Sequence, residues 1–186
     1  MGGKVASLLA LNYPDLISNL ILVDIAPILY SPVNSNPIED HRHFAQILKD
    51  INLEGKSKHQ VGAELESLIP DLATRLFLLT NLSFDKKHNR LFWRVNLDSI
   101  LRSYDELRDF PVAADTPPFT KPTLVIKGSL SPYISSPLAY NAIDSLFPNH
   151  TFCSVSNAGH WPHFGTTAHQ FVDIVVDWLS DKLLHK

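Results

Sequence analysis

The sequence predicts an α/β fold: a parallel sheet flanked by helices and interrupted by a helical insertion. Three observations predict it. Short apolar runs occur at Leu20–Asp24 and Thr123–Ile126, as in strands buried on both faces, and a third strand is expected around Phe152–Val155. Segments with helical spacing separate them. The stretch from Ser31 to Asp115 is richer in charge and helical almost throughout.

The first element is "MGGKVASLLALNYPDL". Val5, Ala6, Leu8, Leu9 and Ala10 recur at helical spacing, Lys4 interrupts them, and Asn12-Tyr13-Pro14-Asp15 ends the helix. The inner face of this helix is expected to press on a partner. "SNLILVDIAP" then gives the first strand, closed by Ala26-Pro27, and "KPTLVIKGS" gives the second, closed by Gly128. A helix from Leu138 to Leu146 precedes the third strand. A closing helix sets Phe171, Ile174, Val175, Trp178 and Leu179 on one face. This alternation assigns residues 1–30 and 116–186 to one α/β core.

Residues 31–115 form the insertion. "IEDHRHFAQILKDI", "HQVGAELESLI", "DLATRLFLLTNL" and "LDSILRSYDELRDF" read as amphipathic helices, and "NRLFWRV" is the one strand-like piece. An insertion between parallel strands is expected over their carboxyl ends, where ligands bind in open α/β sheets, so it is read as a cap or lid.

Composition narrows the function classes. The 186 residues are 45% hydrophobic and 19% charged with a formal net charge of −3, so there is no basic surface for nucleic acid. No apolar run approaches the ~20 residues of a membrane span. The single cysteine, Cys153, cannot form an internal disulfide. His41 with His43, or His160 with His163, falls short of the three or four convergent ligands of a zinc site, so no metal is expected.

The chemistry is expected at the strand ends. Asp24 follows "LILV", and His160 sits in "NAGHWPHF" after the third strand. The seven glycines, at 2, 3, 55, 62, 128, 159 and 165, never bracket a serine as G-x-S-x-G. The cap residues Phe44, Leu76, Leu79, Trp93 and Leu97 are candidate pocket lining, equally well explained as the cap's own core, and Trp161 and Phe164 are candidates beside His160.

The stretches "MGGKVA", "VDIAP", "LLTNL", "WRVNLD" and "NAGHWPH" together resemble the type-eleven α/β-hydrolase-domain esterases of mitochondria and related small bacterial acyl-esterases. The resemblance implies the C-terminal part of an α/β-hydrolase fold with a helical cap. It implies a serine hydrolase acting on ester or thioester bonds, without metal or organic cofactor. "MGGKVASLLALNYP" is similar to the helix-forming residues just downstream of the serine in a nucleophile elbow. On that reading Met1 is the residue after the serine and an oxyanion donor, and the serine lies just ahead of the chain. The 186 residues alone are then expected to be inactive, the alternative being a non-catalytic binding or regulatory product. The edge left open beside the Leu20–Asp24 strand is expected to aggregate or to take a protein partner. Mitochondrial localisation follows from the resemblance, cytoplasmic if no leader precedes Met1.

His160 matches the family's general base. Where many of these enzymes carry the acid, after "PTLVIKG", this chain has Ser129, Leu130 and Ser131. Asp24 matches the acid of the bacterial relatives and Asp98 a position assigned as acid in the mitochondrial type. Asp24 is favoured, since a strand end is a rigid mount; Asp98 has a plainer reading as a helix N-cap.

Overall fold

The computed structural model describes residues 1–31 and 41–184. The chain divides into two compact units, one of Met1–Ile38 with Arg108–Lys186 and one of Glu39–Leu107.

In the first unit, α1 (Gly2–Asn12) leads into β1 (Leu20–Val23), and the chain returns to β4 (Thr123–Gly128), α7 (Pro137–Leu146), β5 (His150–Val155) and α8 (Ala168–Leu184). The strands form a parallel sheet in the order β1-β4-β5, with Val23 opposite Ile126 and Ile126 opposite Cys153. Side chains alternate across it. Leu20, Leu22 and Val125 join Ala10, Leu11, Ala139, Ile143 and Phe147 on the face covered by α1 and α7. Leu124, Ile126 and Val155 pack with Phe171, Ile174, Val175 and Trp178 of α8 on the other. Burial on both faces is why the central β4 reads as a continuous apolar run; β5, with Thr151 and Ser154 exposed, does not. Phe110 belongs to this core, although it precedes β4 by a dozen residues.

The inner face of helix α1 carries a charged residue. Lys4, Ser7, Ala10 and Leu11 are buried, whereas Val5 is 61% and Leu9 40% exposed. The inner face is the one that permits close approach. A Cβ on Gly3 would stand 2.2 Å from the Ile25 side chain, so only glycine lets the helix lie this near the chain leaving β1.

The second unit contains α2 (His41–Asp50), α3 (Lys58–Leu68), α4 (Leu72–Leu79), β2 (Leu82–Asp85), β3 (Arg90–Trp93), α5 (Leu97–Arg102) and most of α6 (Tyr104–Arg108). The first residues of "IEDHRHFAQILKDI" lie outside the described residues. The N-termini are capped as their sequences direct. Ser57 and Gln60 form a reciprocal capping box on α3, and Asp71 accepts from the Thr74 amide of α4. The Arg75 guanidinium, nearly buried, donates to the Ile69 and Pro70 carbonyls that α3 leaves behind, at 2.8 and 2.7 Å. Two expectations are corrected. "LTNL" ends not as helix but as the start of β2, which pairs antiparallel with β3 because Asp85 and a left-handed Asn89 close a hairpin turn. "LDSILRSYDELRDF" forms two short helices, broken at Ser103.

Candidate active site

Asp24 is the residue after β1. Its amide still donates to the Ile126 carbonyl at 2.7 Å, so the residue is fixed to the sheet, and its φ of 50° turns the chain sharply away. Aspartate tolerates this left-handed conformation better than most residues. The side chain is completely buried, so every lone pair needs a partner. Oδ1 accepts from the Gly128 amide at 3.1 Å, and Oδ2 accepts from the Ser131 hydroxyl and from His160 Nδ1, the latter at 2.8 Å. Three donors from two other strand ends therefore converge on one carboxylate.

His160 arrives on the loop after β5. That loop is stitched to the one after β4. Leu130 N donates to the Ala158 carbonyl at 2.9 Å, Asn157 N to Ser129 Oγ at 2.9 Å, and Ser129 N to the Val155 carbonyl at 3.0 Å. Gly128 permits the approach, because a Cβ there would lie 2.1 Å from the Gly159 carbonyl oxygen. The imidazole is about one-third exposed. Tyr133 stacks on it with ring centroids 3.7 Å apart and planes 14° from parallel, and Trp161 tilts against it at 6.1 Å. Since a carboxylate accepts, Nδ1 carries the proton, and Nε2 is left as the basic nitrogen.

Of the sequence candidates, the structure brings Asp24 and His160 together. Asp98 is elsewhere: in the helical unit its carboxylate pairs with Lys49 at 2.5 Å, and that hydrogen bond holds its pKa below the usual range. It is not the N-cap of α5 either; Asn96 is, accepting from the Ser99 amide, because Asp98 already lies in the first turn. Met1 caps α1, its carbonyl accepting from Lys4 N and Val5 N at 3.0 and 3.2 Å. Phe44, Leu79, Trp93 and Leu97 pack in the helical unit's own core, while Leu76 and Phe164 are exposed. Trp93 and Leu97 also line a shallow cleft of about 400 Å³ in that unit, with Lys49, Arg90 and Asp98.

Two site residues escaped the sequence. Ser131 donates to the Asp24 carboxylate from the loop where a carboxylate was sought, and Tyr133 stacks on His160. A serine two residues before an aromatic is too common a pattern to signal either. Among the described residues no three or more His, Cys, Asp or Glu converge to hold a metal ion, and no helix is long and apolar enough to cross a membrane.

Residues 1–166 match the family model described as the alpha/beta hydrolase fold. The chain is 35% identical over 185 residues to the sn-1-specific diacylglycerol lipase ABHD11 of Mus musculus, covering 97% of this chain and 57% of that protein. It is 26% identical over 163 residues to the esterase YbfF of Escherichia coli, covering 88% of this chain and 58% of that one. Among solved structures it matches a marine microorganism esterase with a TM-score of 0.85 at 28% identity, over 94% of this chain and 66% of that one. The chain thus spans between about half and two-thirds of the length of these relatives. With its parallel sheet and with the matched residues running from α1 through the His160 loop, the chain belongs to the α/β-hydrolase fold family.

Proposed function

We propose that this chain supplies the acid and the base of a serine hydrolase that cleaves carboxylic ester bonds of small acyl substrates, with thioesters as the alternative. The observation that carries the reading is the 2.8 Å contact between buried Asp24 and His160 Nδ1. Asp24 fixes the imidazole tautomer and stabilises the imidazolium. His160 Nε2 takes the proton of a serine hydroxyl as its oxygen attacks the ester carbonyl, then returns that proton to the departing alkoxide. Water then attacks the acyl-enzyme by the same route. The serine is assigned to the position immediately ahead of Met1, since the 186 residues hold no G-x-S-x-G. On that placement the N–H of Met1 is one donor to the tetrahedral oxyanion. The helical unit is proposed as the lid over the acyl group. The esterase and lipase relatives support the ester class.

Fluorophosphonate labelling tests this. The chain extended upstream by its own reading frame should label and lose labelling with His160→Gln, whereas residues 1–186 alone should not label. Failure of a folded extended form to label overturns the hydrolase reading, and labelling of the short form overturns the position of the serine.

Two further expectations rest on the same reading. The exposed Val5 and Leu9 and the β1 edge opposite β4 favour cover by another polypeptide segment. Residues 1–186 expressed alone should therefore self-associate, and a monomer by light scattering would count against it. The likeness to ABHD11 favours a mitochondrial address, which fractionation of cells expressing the intact protein checks.

A further inference from the structure

Lys4 is 6% exposed, an unusual place for an ammonium. Its Nζ donates to the Arg108 carbonyl and, at 3.0 Å, to the Asp109 carbonyl, and stands 4.7 Å above the centre of the Tyr30 ring. These contacts join three distant stretches of the first unit: α1, the chain leaving β1, and the segment approaching β4. The same Arg108 oxygen also accepts from Tyr30 N at 3.1 Å. From Tyr30 the contacts continue inward. Its hydroxyl accepts from Ala26 N at 2.7 Å and donates to the Tyr133 carbonyl at 3.1 Å, and its ring meets Tyr133 edge-on at 5.4 Å. The Tyr133 ring is the one stacked on His160.

We propose that Lys4 is a positioning residue for the base: it fixes Tyr30, Tyr30 fixes Tyr133, and Tyr133 fixes the plane of the His160 imidazole. Asp24 anchors Nδ1 at a single point, about which the ring can still swing. A flat ring at 3.7 Å removes that freedom, so the direction of Nε2 depends on where Tyr133 sits. Tyr133 in turn is held at its carbonyl and its ring edge by Tyr30 and at its amide by the Ser131 hydroxyl, at 3.3 Å. Tyr30 is held at its backbone by Arg108 and at its ring face by a cation. A methionine at position 4 would fill the same space and bind neither carbonyl.

The inference rests on the hydrolase reading for its purpose, but its test does not use turnover. Carbon-13-labelled histidine in the intact protein reports the Hε1 proton of His160, which the Tyr133 ring current shifts upfield. Tyr133→Leu should move that resonance downfield. Lys4→Met should move it in the same direction, and the Tyr30 amide should exchange with solvent roughly tenfold faster or more, as expected on losing a charge-assisted hydrogen bond. Tyr30→Phe removes only the hydroxyl and should also move the resonance downfield, which keeps the test open should Lys4→Met fail to fold. The proposal is overturned if a folded Lys4→Met protein, or a folded Tyr30→Phe protein, keeps the wild-type His160 resonance, or if Tyr133→Leu does not move it.

Discussion

Substituting Gly128 by alanine tests the site through a single methyl group. The added Cβ would meet the Gly159 carbonyl oxygen at 2.1 Å and the Ala158 carbonyl oxygen at 2.6 Å. Both are backbone atoms, so no side-chain rotation relieves them. To restore an ordinary contact of 3.4 Å the loop must recede by about 1.3 Å. His160 is the next residue along that loop. Its 2.8 Å bond to Asp24 would stretch past hydrogen-bonding range if the imidazole followed in full. Overpacking of this kind costs about 1–3 kcal/mol in stability. A displacement of about 1 Å in a catalytic group costs on the order of 10²-fold in rate. Three assays read these effects. Denaturant unfolding gives the stability change. The downfield Nδ1–H resonance of His160, sharp while the proton is bound to Asp24, should broaden or vanish in Gly128→Ala. Hydrolysis of a short p-nitrophenyl ester by the intact protein should fall by roughly two orders of magnitude. Retention of the Nδ1–H signal and wild-type turnover in a stable Gly128→Ala protein would show that the loop has slack which the structure denies it.

The other predictions address the acid, the buried lysine and the helical unit. Asp24→Asn keeps the left-handed backbone, which asparagine tolerates well, but cannot hold the imidazole in the same tautomer; turnover of the intact protein should fall roughly 10⁴-fold. Asp98→Asn removes only the exposed pairing with Lys49 and should leave turnover within about twofold. For Lys4, burial lowers the ammonium pKa to about 8, opposed in part by Asp109. The unfolded chain therefore binds the extra proton above that pH, and stability should rise as pH goes from 8 to 10. A single group contributes up to about 2 kcal/mol over that window. The neighbouring Tyr30 phenol, whose pKa burial raises, stays neutral throughout it. Urea midpoints taken across this range should climb in the wild type relative to Lys4→Met; parallel curves would refute the assignment. In the helical unit, Arg75→Leu leaves the Ile69 and Pro70 carbonyls without their donor and should lower stability by about 1.5–3 kcal/mol, read from denaturant curves.

Legibility in the sequence tracks the strength of the physical signal. Strands β1 and β4 announced themselves as apolar runs, β4 because burial on both faces excludes polar side chains, whereas β5 gave only the shorter signal around Phe152–Val155. Asp24 and His160 were legible as polar residues placed where such runs end. Which face of helix α1 turns inward was not legible, since the buried one carries Lys4 and Ser7. Periodicity assigns a lysine to solvent; only the carbonyls of Arg108 and Asp109, a hundred residues away, make burial tolerable. The β2–β3 hairpin was half hidden because "RLFLLTNL" continues at helical spacing until Asn81, and the turn at Asp85–Asn89 decides the outcome. Tyr133 carried no signal, because a stacking partner is specified by a position in space rather than by a spacing in sequence.

The place of Ser131 explains why the acid can leave β4. The strands β1 and β4 are neighbours in register, so the chains emerging from them stand side by side, and either can reach an imidazole delivered after β5. A carboxylate on β1 must cross the width of β4 to do so, and its path is buried. Crossing that space with a charge requires donors along the way. The chain supplies them from β4 itself, the Gly128 amide on one oxygen and the Ser131 hydroxyl on the other. An aspartate at position 131 would place a second negative charge against Asp24 and force one of the two to protonate. The loop after β4 therefore has to carry a donor once the acid sits on β1, and a small hydroxyl satisfies the carboxylate without displacing His160 from it. The departure from the common pattern at Ser129-Leu130-Ser131 and the choice of Asp24 are, on this argument, a single structural fact seen from two strands.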